Sequence, residues 1–148
     1  MRTGPNPETR WRMRLVRPGL IEYEATFGDR IDDDREILVA GELLEALVVR
    51  NLERMATILI DLGLGGPAFV SIALKGTEDI ILTRAHFSGR PIRTPSFVLP
   101  TAEIADLSKP MADALHEQFD ILWQTSGWGD GSPSFGFGTW QVQSKDER

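Results

Sequence analysis

Between Gly41 and Gly63, apolar residues recur at Leu44, Leu47, Val48, Leu52, Met55, Leu59 and Leu62. Spacings of three and four gather these side chains on one side of a helix. The pattern predicts an amphipathic helix over about 41–62. Glu42 and Glu45 would sit in its first turns, where the helix dipole favours negative charge, and Gly63 would form a left-handed cap. Arg50, Asn51, Glu53, Arg54, Thr57 and Asp61 fall on the outer side. Most of the stability of such a helix comes from packing its apolar face, so the rest of the chain must supply a surface to cover the stripe.

Period-two patterns supply that surface. Arg10, Arg12 and Arg14 alternate with Trp11, Met13 and Leu15, and after Pro18-Gly19 a second run sets Glu22, Glu24 and Thr26 against Ile21, Tyr23, Ala25 and Phe27. An antiparallel register with Arg14 opposite Glu22 puts Arg12 opposite Glu24, Met13 opposite Tyr23 and Leu15 opposite Ile21. Both faces become complementary at once. Further on, "AFVSIAL" (68–74) and "DIILTR" (79–84) read as strands joined in a hairpin by "KGTE". Ser96–Leu99, between Pro95 and Pro100, reads as an edge strand, and "AEIADL" as another extended segment. A second helix is expected over about 109–126, with Ser108 as N-cap, Pro110 in its first turn and Gly127 at its end. Its stripe is Met111, Leu115, Phe119, Leu122 and Trp123, with Ala114 and Gln118 filling in. The expected fold is α+β: an antiparallel sheet of about four to six strands packed with two amphipathic helices. It forms a single domain over 10–140, between a flexible arm (1–9) and a polar tail (141–148).

Composition sets the class. With 148 residues, 41% hydrophobic and 26% charged, the chain can bury a core of its own. It has no cysteine, which removes disulfides, thiolate metal sites and cysteine nucleophiles and suits a reducing compartment. "MRTGPNPETRWRMRL" lacks the apolar core of a secretory signal, and no apolar run approaches the roughly 18 residues of a spanning helix. The expectation is a cytoplasmic protein with no membrane segment. The net charge of −6 is uneven: residues 1–17 carry five arginines and one acid, a net +4, which leaves −10 on the remaining 131 residues. An acidic body repels phosphate backbones and disfavours general nucleic-acid binding.

Catalytic and metal motifs fail on spacing. In "GDRIDDDRE" (28–36), a calcium loop counted from Asp32 would put Ile37 and Leu43 where glycine and glutamate are required, so the acids read as charges ahead of a helix. "GLGGP" follows a helix and enters a strand, the reverse of a phosphate loop. The only histidines, His86 and His116, match no zinc motif. His116 with Asp113 would make an oriented base, but helix-surface pairs of this kind are common without function. Ser132 and Ser134, with Asp130, read as a flexible turn rather than a nucleophile elbow. No cofactor or metal is expected.

The last quarter is distinctive. "FDILWQTSGWGDGSPSFGFGTW" (119–140) holds six of the twelve aromatic residues, with glycines at 127, 129, 131, 136 and 138. Glycine lets the backbone press close to a surface, and each ring can bury about 150–250 Å². Anchoring of the tail into the domain is the favoured reading. The candidate binding residues, should some rings stay open, are Trp128, Phe135, Phe137 and Trp140, together with Arg12 and Arg14. The arginines themselves read first as cross-strand partners of glutamates.

The succession "NLERMATILIDLGLGGPAFVSIALKG", "PIRTPSFVLP" and "FDILWQTSGWGDGSPSFGFGTW", about Arg50 to Trp140, resembles a C-terminal region of bacterial proteins that carry a Schlafen-type, Alba-like DNA-binding domain and are often labelled ATP-binding. The resemblance implies an accessory module rather than the DNA-binding part, and it carries no functional residue across.

The expected function is therefore a non-enzymatic accessory or interaction domain that binds a protein partner or itself, in a bacterial nucleic-acid-linked system. A ligand-binding or nucleic-acid-associated module using the N-terminal arginines and C-terminal rings is the alternative. A small hydrolase or transferase with His116 or His86 as base is the second.

Overall fold

The computed structural model describes residues 11–17, 19–26, 37–136 and 138–141. The flanking arm, the 28–36 acidic segment, Phe137 and most of the polar tail lie outside them. The fold is α+β, in two compact units, Met1–Arg35 and Glu36–Arg148.

The first unit is a hairpin of β1 (Trp11–Arg17) and β2 (Leu20–Ala25), whose register is the one that charge and apolar pairing select: Arg14↔Glu22, Arg12↔Glu24, Met13↔Tyr23 and Leu15↔Ile21. Arg12 reaches Glu24 at 2.9 Å and Arg14 reaches Glu22 at 2.6 Å. On the other face Trp11 and Tyr23, diagonal neighbours, stack with centroids 6.4 Å apart. The ladder shifts between Leu15 and Arg17 on the way into the turn.

In the second unit, β3 (Ile37–Ala40) runs directly into α1 (Gly41–Asp61). The buried side of α1 is centred on Gly41, Glu45, Val49 and Ala56, flanked by the half-buried Leu44, Val48 and Leu52. This corrects the expected stripe. Leu62 is exposed, whereas Asn51, expected on the outer side, is buried with its amide donating to Leu47 O at 2.8 Å; Glu45, expected only as a first-turn charge, is buried as well. Gly63 caps the helix with φ +78°, as expected.

The strand following α1 departs from the expected hairpin. β4 (Ala68–Val70) pairs antiparallel with β9 (Ala102–Ile104), and β5 (Ala73–Lys75) with β8 (Ser96–Val98). From Val70↔Ala102 to Ala73↔Val98 the register advances with two residues on one strand and three on the other, and Leu99 N–H donates to Ile72 O between them. The two strand pairs thus follow one another along the same two chain segments, interrupted at Pro100, which has no N–H to contribute. "KGTE" does not fold back. Thr77 is buried, donates its hydroxyl to Thr94 O at 2.6 Å and its N–H to Pro95 O, and so extends the ladder. β6 (Ile80–Arg84) leaves sideways to pair parallel with β3, and β7 (Phe87–Ser88) lines its other edge.

The second helix also starts later than expected. Asp106 accepts hydrogen bonds from both the N–H and the hydroxyl of Ser108, an Asx turn that uses Ser108 as a donor instead of an N-cap. A 3-10 turn, Ala112–Leu115, then leads into α2 (His116–Thr125). Its expected stripe holds at Met111, Leu115, Phe119, Leu122 and Trp123 and at Gln118, all buried, while Ala114, expected to fill in, is exposed. Each buried apolar residue contributes about 1.5–3 kcal/mol by burial for side chains of this kind.

Candidate functional site

The C-terminal rings converge on one carboxylate. Glu45, 0% exposed, lies one turn after Gly41 on the covered side of α1. Its Oε1 accepts from Trp123 Nε1–H and from the Ser132 hydroxyl, and its Oε2 accepts from Trp140 Nε1–H at 2.8 Å. Gly41 makes the approach feasible: a Cβ there would stand 2.3 Å from Trp123 Cζ2. Among the described residues no cation pairs with Glu45. Its desolvation is offset by three neutral donors, all from the last 26 residues of the chain.

The same segment is fixed at further points. α2 ends in a Schellman motif: Gly127, with φ +80°, donates to Gln124 O, and Trp128 N–H donates to Trp123 O. The accompanying apolar contact is the edge-on Trp123–Trp128 pair, with centroids 4.9 Å apart. Trp128 Nε1–H donates to Leu82 O at 3.0 Å, tying the turn to β6. Downstream, Asp120 accepts from Ser132 N–H, and Asp113 accepts from Trp140 N–H at 2.9 Å. Ser132 and Ser134 are therefore buried in and before a 3-10 turn, Pro133–Phe135, and do not form the flexible turn expected of them.

The histidines are placed differently from the acid–base expectation. His116 pairs with Asp120 at 3.3 Å, one turn on, and lies flat on Phe135 with centroids 3.9 Å apart; Asp113 holds the tail instead. His86 is exposed in the turn between β6 and β7. Among the described residues no three His, Asp or Glu side chains gather as a metal site.

Of the candidate binding residues, Arg12 and Arg14 belong to the hairpin unit and are engaged by Glu24 and Glu22. Phe135 is buried and Trp140 half-buried, with its indole on Glu45. Phe137 lies outside the described residues. Trp128 is half-buried and lines a shallow, open cleft of about 280 Å³ between segments 87–89 and 127–130, opposite Phe87, which is 72% exposed. Asp130 stands at the same cleft.

Sequence reasoning missed Glu45 and Phe87. The signal for Glu45 was its position four residues after Gly41 and four before Val49, in line with small and apolar neighbours. Phe87 is the lone large apolar residue in the polar run "TRAHFSGR". No family model matches the chain, and no curated protein or solved structure matches it either.

Proposed function

We propose that this chain is a non-catalytic accessory domain that binds a protein partner. The observation that carries the reading is the division among the aromatic residues: most of the described tail rings turn inward onto Glu45 and His116, while Trp128 lines an open cleft together with Phe87. Two aromatic side chains at one accessible place are the composition of an interaction hot spot. The histidines and serines support the same conclusion, because His116 is stacked on Phe135, and the Ser132 hydroxyl donates a hydrogen bond to a buried carboxylate. Pairing of Arg12 and Arg14 with glutamates weakens the case for phosphate recognition. No described helix is long and apolar enough to cross a membrane, which is consistent with a partner met in the cytoplasm. The sequence resemblance is the ground for seeking it among bacterial nucleic-acid-linked proteins.

The test is selection of a displayed random-peptide library on the wild-type chain and on Phe87→Ala. The reading expects an enriched consensus on wild type that is lost on the variant. Enrichment that is absent, or indifferent to Phe87, would overturn it.

A further inference from the structure

The Phe87–Trp128 cleft can be assigned a ligand chemistry, an assignment that rests on the interaction reading above. We propose that it receives a cationic side chain, the ammonium of a lysine or the guanidinium of an arginine, presented by the partner.

Four observations support this. The cleft brings together two aromatic residues and one carboxylate, Asp130. Among the described residues nothing pairs with that carboxylate, while Arg84, the cation of β6, is already bound to Glu42 at 2.7 Å. Aromatic faces attract cations, and an unpaired carboxylate beside them gives the charge a terminus. A lysine or arginine stem would lay its methylenes along the rings while the head stays hydrated, which suits a site that is open rather than enclosed. At about 280 Å³ the cleft is just below the lower end of ligand pockets and has room for one long side chain.

The Trp128 wall is also fixed in advance. Trp128 is held by the Schellman turn at its backbone, by Leu82 O at its indole nitrogen and by the edge of Trp123. Its ring is pressed so closely on the neighbouring strand that a Cβ on Gly89 would lie 2.6 Å from Trp128 Nε1. A rigid aromatic wall loses little entropy on binding. The chain's net charge of −6 favours approach of a basic peptide. Arg90, whose stem packs at Gly127, does not line the cleft.

The probes are three short capped peptides identical but for one central residue: lysine, arginine or norleucine, the last being lysine's uncharged near-isostere. Binding is read from the Trp128 indole N–H resonance. The lysine and arginine peptides are expected to shift it saturably, roughly two- to fivefold more tightly than norleucine, as exposed cation–π contacts allow. Asp130→Asn and Phe87→Ala should each weaken lysine binding about two- to fivefold, and added salt should weaken it on wild type. Arg90→Ala should not weaken it. Both Asp130 and Phe87 are exposed, so the variants are expected to stay folded, which thermal melts would check.

Norleucine binding as tightly as lysine, with dependence on Phe87, overturns the cationic assignment and leaves the interaction reading standing. A displayed-peptide consensus that depends on Phe87 but lacks a basic residue does the same. Absence of any Phe87-dependent peptide overturns the interaction reading itself.

Discussion

The hairpin and the C-terminal tail both use carboxylates to hold chain in place, but they do so in opposite surroundings. In the hairpin, Glu22 and Glu24 each meet an arginine in water, with more than half of every side chain exposed. Beneath the tail, Glu45 of α1 is fully buried and, among the described residues, meets no cation; its partners are two indole N–H groups and a hydroxyl. An exposed ion pair is screened and contributes about 0.2–1 kcal/mol. A buried carboxylate is stable only while its donors stay, and the donors are equally committed to it. The tail is therefore fixed by mutual need and the hairpin by weak preference.

The largest effect follows from removing the hub. Glu45→Ala leaves three donors unpaired, two of them buried, and a loss of roughly 3–5 kcal/mol is expected in urea unfolding. Glu45→Gln should cost less, since its single oxygen can still serve Trp123 and Ser132. Hydrogen exchange sharpens the contrast: the tail amides of Trp140 and Gln141 should lose protection, while the β1–β2 amides should not change. Equal loss in both regions would break the comparison. Next in size is Gly41→Ala. Its new methyl would drive into the Trp123 ring and separate that ring from Glu45, for about 1–3 kcal/mol of overpacking set against a helix-propensity gain of about 1 kcal/mol. Gly65→Ala, with no atom within 4 Å of the added carbon, is the control and should fall within about 0.5 kcal/mol of wild type.

These contrasts explain what could be read from the sequence. The hairpin register was legible because its partners are 8 and 12 residues apart, and one register satisfied charge and apolar faces together. The α2 stripe was legible because its period is local. Glu45 was not, because its donors lie 78, 87 and 95 residues further on, and an acid in the first turns of a helix has an ordinary solvent-side explanation. The partner of 68–75 was misassigned for a related reason. Chain proximity favours 79–84, yet Thr77 continues the ladder past the expected turn, and Pro100 disguises the true partner as two short pieces. Inward turning of the rings was expected from the glycines around them. The cleft shared by Phe87 and Trp128 required β7 and the α2 cap to be placed side by side.

A smaller effect probes the hairpin's half of the comparison. In a double-mutant cycle of Arg14→Ala and Glu22→Ala, the coupling should be about 0.2–1 kcal/mol and should fall at high salt. A coupling of several kcal/mol would mean that this pair is not behaving as a solvated one.

The smallest effect concerns a third carboxylate, which accepts from serine as Glu45 does but at the surface. The Ser108 hydroxyl, 2.6 Å from Asp106 Oδ1, and then the Ser108 N–H hold the Asp106 carboxyl below its ordinary value of 3.8; Lys109 adds a little, and partial burial opposes. Because the folded value is the lower one, the ionised form favours the fold. That stabilisation is fully present above the unfolded value and is lost as pH falls through the folded one. Asp106→Asn keeps an acceptor for Ser108 and removes the charge. The Tm difference between wild type and the variant should therefore be constant above about pH 5 and should shrink as the pH falls below 3.8. A difference that grew in acid would mean that the neutral carboxyl is the better partner for Ser108, and the turn ahead of α2 would then owe nothing to charge.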